Sequence, residues 1–129
     1  MADTILIVDD EPNTLELLQL TLTKVGYTVL TAGSGTEALQ VSAARHPDLI
    51  VLDLMMPDIS GLDVIRELKK HYAKPPVIVF TARGRIEDMV AGMEAGAFRY
   101  LIKPTSRDKL LETIRDALAE LKPPTHHPL

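Results

Sequence analysis

The chain has 129 residues, 46% apolar and 25% charged, with no cysteine and a formal charge of −4. This composition suits one soluble domain that buries a core unaided, and it excludes disulfide scaffolds and thiolate metal sites. No apolar run approaches the roughly 20 residues of a membrane-spanning helix, and an acidic chain with 4% aromatic residues offers little for direct nucleic-acid binding.

The opening MADTILIVDD enters an apolar strand, Thr4–Val8, without a basic leader, so a cytoplasmic location is expected. Leu15, Leu18, Leu22 and Val25 then recur as one face of a helix, and Gly26 closes it. Thr28–Ala32 is the second strand, and Ser34 with Glu37 reads as a capping box opening the second helix. Leu49–Leu52 is the third. Ser60 with Asp63 opens the next helix, and Lys74-Pro75-Pro76 ends it. After the fourth strand, Val77–Thr81, residues Ile86, Met89, Val90 and Met93 form an apolar stripe expected to pack into the core, with Gly96 at its end. Tyr100–Ile102 is the fifth strand. Thr105 or Ser106 caps the last helix, marked by Leu111, Ile114, Leu118 and Leu121. The domain is expected over 1–121, with 122–129 a flexible tail or the start of a linker. His126 and His127 read as solvated tail rather than a metal site, and His46 and His71 as exposed helix ends.

Strict alternation of strands and helices implies a parallel sheet covered on both faces, with two-sidedly buried strands as apolar as ILIV, LIVL and VIVF. Ligands of such sheets bind beyond the carboxyl ends of the strands. Asp9 and Asp10 follow the first strand, Asp53 follows the third, Thr81 ends the fourth and Lys103 follows the fifth. Clustered carboxylates repel unless a cation intervenes. Magnesium suits such a place because it needs only one or two carboxylates besides water and phosphate oxygens. The set points to metal-assisted phosphoryl chemistry, with Lys103 as a point charge and Thr81 as a hydroxyl donor.

These residues, in the runs Asp9-Asp10-Glu11, DLMMPDISG at 53–61, Thr81-Ala82 and Tyr100-Leu-Ile-Lys103-Pro104, resemble the receiver domain of two-component response regulators across residues 4–121. The resemblance implies a doubly wound (βα)5, flavodoxin-like three-layer α/β sandwich with parallel strand order 2-1-3-4-5. It implies that Asp53 accepts a phosphoryl group from a histidine kinase or a histidine phosphotransfer protein. Asp10, Asp53 and the Met55 backbone carbonyl would ligate Mg²⁺, and Asp9 would hold it largely through water. Lys103 would pair with Asp53, and Thr81 would hydrogen-bond the phosphoryl group. Tyr100 would swing inward, altering the face made by the fourth helix, fifth strand and fifth helix for a downstream effector that the sequence does not name. Met55 and Arg83 would flank the route of a hydrolytic water. Pro57 and Gly61 would shape the loop after Asp53, and the Lys103-Pro104 bond would be cis. Phe98 and Arg99 stand where the DNA-binding branch carries an acidic pair, so one half of that branch's dimer salt bridges is missing. A phosphorylation-linked dimer stays open.

Three other readings compete. Gly33-Ser-Gly35-Thr-Glu-Ala38, with Asp53 beyond it, fits a dinucleotide fingerprint, but the remaining chain is too short for the paired fold and the other acids would be idle. A dehalogenase-like magnesium phosphatase would need an acid where Met55 stands. The chain is therefore expected to catalyse only its own phosphorylation and slow dephosphorylation rather than act as an enzyme on other substrates. The main alternative is a phosphorylation-independent interaction domain of the same fold.

Overall fold

The computed structural model describes residues 2–71 and 75–121. Lys74 and the tail histidines His126 and His127 lie outside the described residues. Five strands alternate with helices: β1 Thr4–Val8, α1 Pro12–Lys24, β2 Thr28–Ala32, α2 Gly35–Arg45, β3 Leu49–Leu52, α3 Gly61–His71, β4 Val77–Thr81, α4 Ile86–Ala95, β5 Arg99–Ile102 and α5 Arg107–Leu121. The strands form one parallel sheet in the order β2-β1-β3-β4-β5. Only β5 departs from its expected bounds, starting one residue earlier, where Arg99 pairs with Ile78.

Side chains of successive strand residues point to opposite faces, and the core divides accordingly. Ile5, Ile7, Leu49, Val51, Ile78, Phe80 and Leu101 pack against α1 and α5. Leu6, Val8, Ile50, Leu52, Val77 and Val79 pack with residues of α2 and α3 and with Ala95 of α4. The helix ends follow local chemistry. Ser34 Oγ accepts from Glu37 N at 3.1 Å, while Glu37 Oε1 accepts from Gly33 N at 2.6 Å. Ser60 Oγ accepts from Asp63 N at 3.2 Å. Of the two candidates at α5, Ser106 is the cap, accepting from Lys109 N at 3.1 Å, whereas the Thr105 hydroxyl turns back to the Ile102 carbonyl. His46 is exposed and closes α2 with a left-handed backbone, φ 48°.

Two apolar expectations are corrected. Val25 is the exposed cap of α1 rather than part of its buried face. The α4 stripe faces solvent: Ile86 is 75% exposed and Met93 46%, with Met89 only half-buried. The reason is steric. The sheet-facing side of α4 uses Gly92, where an added Cβ would lie 3.1 Å from the Tyr100 ring and 4.0 Å from Val79 Cγ2. The small residues take the close packing, and the large apolar ones are left outside.

Candidate functional site

The sheet's hydrogen-bond ladder runs on past the strand ends and sets the polar residues side by side. Val8 pairs with Leu52, so Asp9 and Asp53 follow as neighbours, and Asp53 N donates to Val8 O at 3.0 Å. Thr81 pairs with Ile102, and Lys103 N donates to Thr81 O at 2.7 Å. The pleat then sorts them. Asp9, Asp53 and Lys103 share the parity of Ile7, Val51 and Leu101, and Thr81 shares that of Val79 and Tyr100.

Lys103 Nζ consequently bridges two carboxylates, 2.7 Å from Asp9 Oδ2 and 3.1 Å from Asp53 Oδ2, and lies 5.3 Å from the Phe80 ring centre. Asp9 is 3% exposed and Asp53 8%. Their other oxygens take backbone donors: Asp9 Oδ1 accepts from Glu11 N at 2.9 Å and Asp53 Oδ1 from Met55 N at 3.0 Å. Burial alone would lower the Lys103 pKa, but its bonds to Asp9 and Asp53 outweigh that and raise it. Lys103 is joined to Pro104 by a cis peptide bond.

Lys103 stands beside Asp53, as the resemblance implies, and its shared parity also brings it to Asp9, whose bond to Lys103 is the shorter of the two. Asp10 is exposed and makes no hydrogen bond or ion pair among the described residues. No three acidic or histidine side chains form a ready metal cage among the described residues. The donors nevertheless suit magnesium. Two buried carboxylates face one ammonium, a third carboxylate is free beside them, and this ion keeps several of its own waters.

Thr81 is fully buried, and its Oγ1 accepts from Arg83 N at 3.3 Å. Tyr100, half-buried, donates from its hydroxyl to the Arg83 carbonyl at 2.7 Å. Its pKa is raised, first by burial and then by the charges of Asp88 and Asp53 against the opposing Arg83. Met55 and the Arg83 side chain are exposed at the rim, Arg83 3.9 Å from Asp88. Gly61 is needed for close approach: an added Cβ would lie 2.5 Å from Leu54 Cα and 3.0 Å from Asp53 O.

Residues 5–115 match the response regulator receiver domain. The chain belongs to that family. It is 43% identical over 121 residues to the transcriptional regulatory protein GlrR of Escherichia coli (strain K12), covering 94% of this chain and 27% of that protein. It is 42% identical to the probable transcriptional regulator ycf27 of Cyanophora paradoxa, covering 94% of this chain and 50% of the relative. This receiver chain thus spans between about a quarter and a half of these relatives. Among solved structures, a putative response regulator from Chloroflexus aurantiacus superposes with a TM-score of 0.87 at 37% identity, covering 92% and 99% of the two chains. A receiver domain protein from Methanospirillum hungatei gives 0.89 at 30% identity, covering 93% and 96%. The expected fold, with its strand order, is the one observed. Among the described residues no helix is long and apolar enough to cross a membrane.

Proposed function

We propose that this receiver domain is a phosphorylation-dependent switch in which Asp53 is the acceptor. The observation that carries the reading is the Lys103 bridge between Asp9 and Asp53 at the carboxyl edge of the sheet. A buried carboxylate is held there beside a cation that can follow a transferred phosphoryl oxygen. An Asp53 oxygen attacks the phosphorus of a phosphohistidine protonated on its other ring nitrogen, the O–P bond forms as the N–P bond breaks, and neutral imidazole leaves with the proton it already carried. Asp10, Asp53 and the Met55 carbonyl, with Asp9 largely through water, would hold magnesium, which would neutralise charge on the phosphoryl oxygens. Thr81 donates its hydroxyl to the phosphoryl group, which disturbs the bond it accepts from Arg83 N. Because Arg83 also accepts from Tyr100, the signal passes to β5 and α4.

The donor is a histidine kinase or a histidine phosphotransfer protein, the setting is cytoplasmic, and the domain turns over no added substrate. Its downstream partner meets the face of α4, β5 and α5, where Ile86, Val90 and Met93 are exposed. The test is incubation with Mg²⁺ and acetyl phosphate, followed by intact mass. A gain of one phosphoryl group that is stable to acid, labile to base and lost in Asp53→Asn is expected. No gain, or one that survives Asp53→Asn, would leave a phosphorylation-independent interaction domain as the reading. Multiple turnover on an added phosphoester would instead mark a phosphatase.

A further inference from the structure

The motif Gly33-Ser-Gly35-Thr-Glu-Ala38 has the form of a helix start that cradles a phosphate, yet the switch reading gives it no work. In the fold its anion comes from the chain itself. Asp58, in the loop between β3 and α3, turns its carboxylate onto the first turn of α2. Oδ1 accepts from Gly35 N at 2.9 Å, and Oδ2 accepts from Thr36 N at 3.0 Å. Oδ1 also accepts from Ile59 N at 2.8 Å, and the Thr36 side chain adds a further bond. The first turn of a helix leaves its N–H groups unpaired and carries partial positive charge, so a carboxylate is well matched to it. Ser34 and Glu37 take the N–H groups of Glu37 and Gly33, and Asp58 takes those of Gly35 and Thr36 between them.

A second observation concerns shape. A Cβ at Gly35 would lie 2.9 Å from Val64 Cγ2, 3.0 Å from Ile59 Cβ and 3.1 Å from Ile59 O. Glycine at this position lets the loop seat directly on α2. The same loop begins at Asp53, whose carboxylate receives Met55 N, and ends at Gly61, whose N–H returns to Leu54 O at 3.0 Å. Its two ends are thus fastened to each other, and Asp58 fastens its middle to a different element 22 and 23 residues away.

We infer that Asp58 is a positioning residue for the Asp53 site, tying loop 53–61 to α2 so that the Met55 carbonyl and the Asp53 carboxylate keep their mutual placement. The inference rests on the phosphoacceptor reading above. Its mechanical basis is that three charge-assisted backbone bonds fix one carboxylate, and with it the peptide plane three residues from Met55. Residues that orient a metal's ligands in this way set its affinity without touching it.

The experiment compares wild type with Asp58→Ala, Gly35→Ala and Ser34→Ala by calorimetric titration with magnesium chloride and by amide hydrogen exchange over residues 54–61. Ser34→Ala removes an α2 cap of the same class without touching the loop. It is expected to lower the melting temperature and leave magnesium affinity unchanged. Asp58→Ala is expected to weaken magnesium binding about tenfold or more and to speed exchange in the loop. Gly35→Ala keeps the carboxylate but wedges Ile59 away, and shifts both readouts in the same direction. Should Asp58→Ala fail to fold, Gly35→Ala against Ser34→Ala decides by the same criteria. Wild-type affinity in both loop variants, or an equal loss in Ser34→Ala, overturns the inference. A wild type that binds no magnesium and gains no phosphoryl group overturns the phosphoacceptor reading and this inference with it. A wild type that does both beside unchanged loop variants overturns the inference alone.

Discussion

The Tyr100 hydroxyl donates a 2.7 Å hydrogen bond to the carbonyl of Arg83, whose own N–H donates to Thr81 Oγ1 at 3.3 Å. One loop residue therefore joins the buried hydroxyl at the end of β4 to the aromatic ring of β5. Tyr100→Phe keeps the ring packed over Gly92 and removes only the bond. A loss of about 1 kcal/mol is expected, together with faster amide exchange at residues 83–86. Chemical denaturation and hydrogen exchange measure the two effects. If neither changes, the bond does not couple β5 to the loop.

Lys103 is the only cation bonded to Asp9 and Asp53 among the described residues. Lys103→Met would leave two neighbouring buried carboxylates facing each other without it. Removing one partner of a buried charged network costs more than the network's net worth, because the remaining charges stay desolvated. A loss of about 2–3 kcal/mol at neutral pH is expected, and Asp9→Asn added to Lys103→Met should restore part of it. Urea denaturation of the single and double variants is the measurement. A double variant no more stable than the single one would contradict a repulsion between Asp9 and Asp53.

The strands were legible in the sequence because burial on both faces makes them continuously apolar: ILIV, LIVL and VIVF coincide with β1, β3 and the start of β4. The residues at their ends were legible for the same reason, since a strand end fixes its followers in space. Orientation of α4 was not. Ile86, Met89, Val90 and Met93 have the period of a buried face, and only the close approach of Gly92 to Tyr100 turns that face outward. Asp58 was equally hidden, because its partners Gly35 and Thr36 lie in a different β/α unit and are brought near by the fold. The bridge that Lys103 makes to Asp9 as well as Asp53 depends on pleat parity beyond the strand ends, which residue types alone do not reveal.

Three backbone N–H bonds and the Thr36 side chain act on the Asp58 carboxylate, and the Thr36 side chain has the largest effect. They hold its pKa well below the ordinary aspartate value of about 3.9. A carboxyl group depressed on folding contributes stability that is fully present above its unfolded value. That contribution is lost as pH falls through the range down to the folded value. The difference in melting temperature between wild type and Asp58→Asn should therefore be largest near neutrality and shrink between about pH 5 and about pH 3. Thermal melts across that range test it. A constant difference would mean that the charge of Asp58 adds nothing to its bonds.

The outward stripe of α4 gives a contrast in stability. Ile86→Gln and Met93→Gln change side chains that are mostly in solvent and should alter stability by no more than about 0.5 kcal/mol. Ile78→Ala empties a position that is fully buried beneath α5 and should cost about 2–5 kcal/mol. Comparable losses at Ile86 and Ile78 would place α4 the other way round.

Gly61 separates the backbone requirement of the loop from its chemistry. An added Cβ would stand 2.5 Å from Leu54 Cα, 2.9 Å from Leu54 Cδ2 and 3.0 Å from Asp53 O. A flexible side-chain tip could move aside, but the nearest atom is main chain. Gly61 N also donates to Leu54 O at 3.0 Å, so the two backbones are held together as the contact is forced. Gly61→Ala gains helix propensity at the first residue of α3, yet the clash must displace either α3 or the residues next to Asp53. Overpacking of this kind costs about 1–3 kcal/mol. The variant should therefore be less stable than wild type, and its phosphorylation by acetyl phosphate at saturating Mg²⁺ should be slower. Equal stability and rate would mean that the loop relaxes without moving Asp53, and the close approach would then have no part in the chemistry.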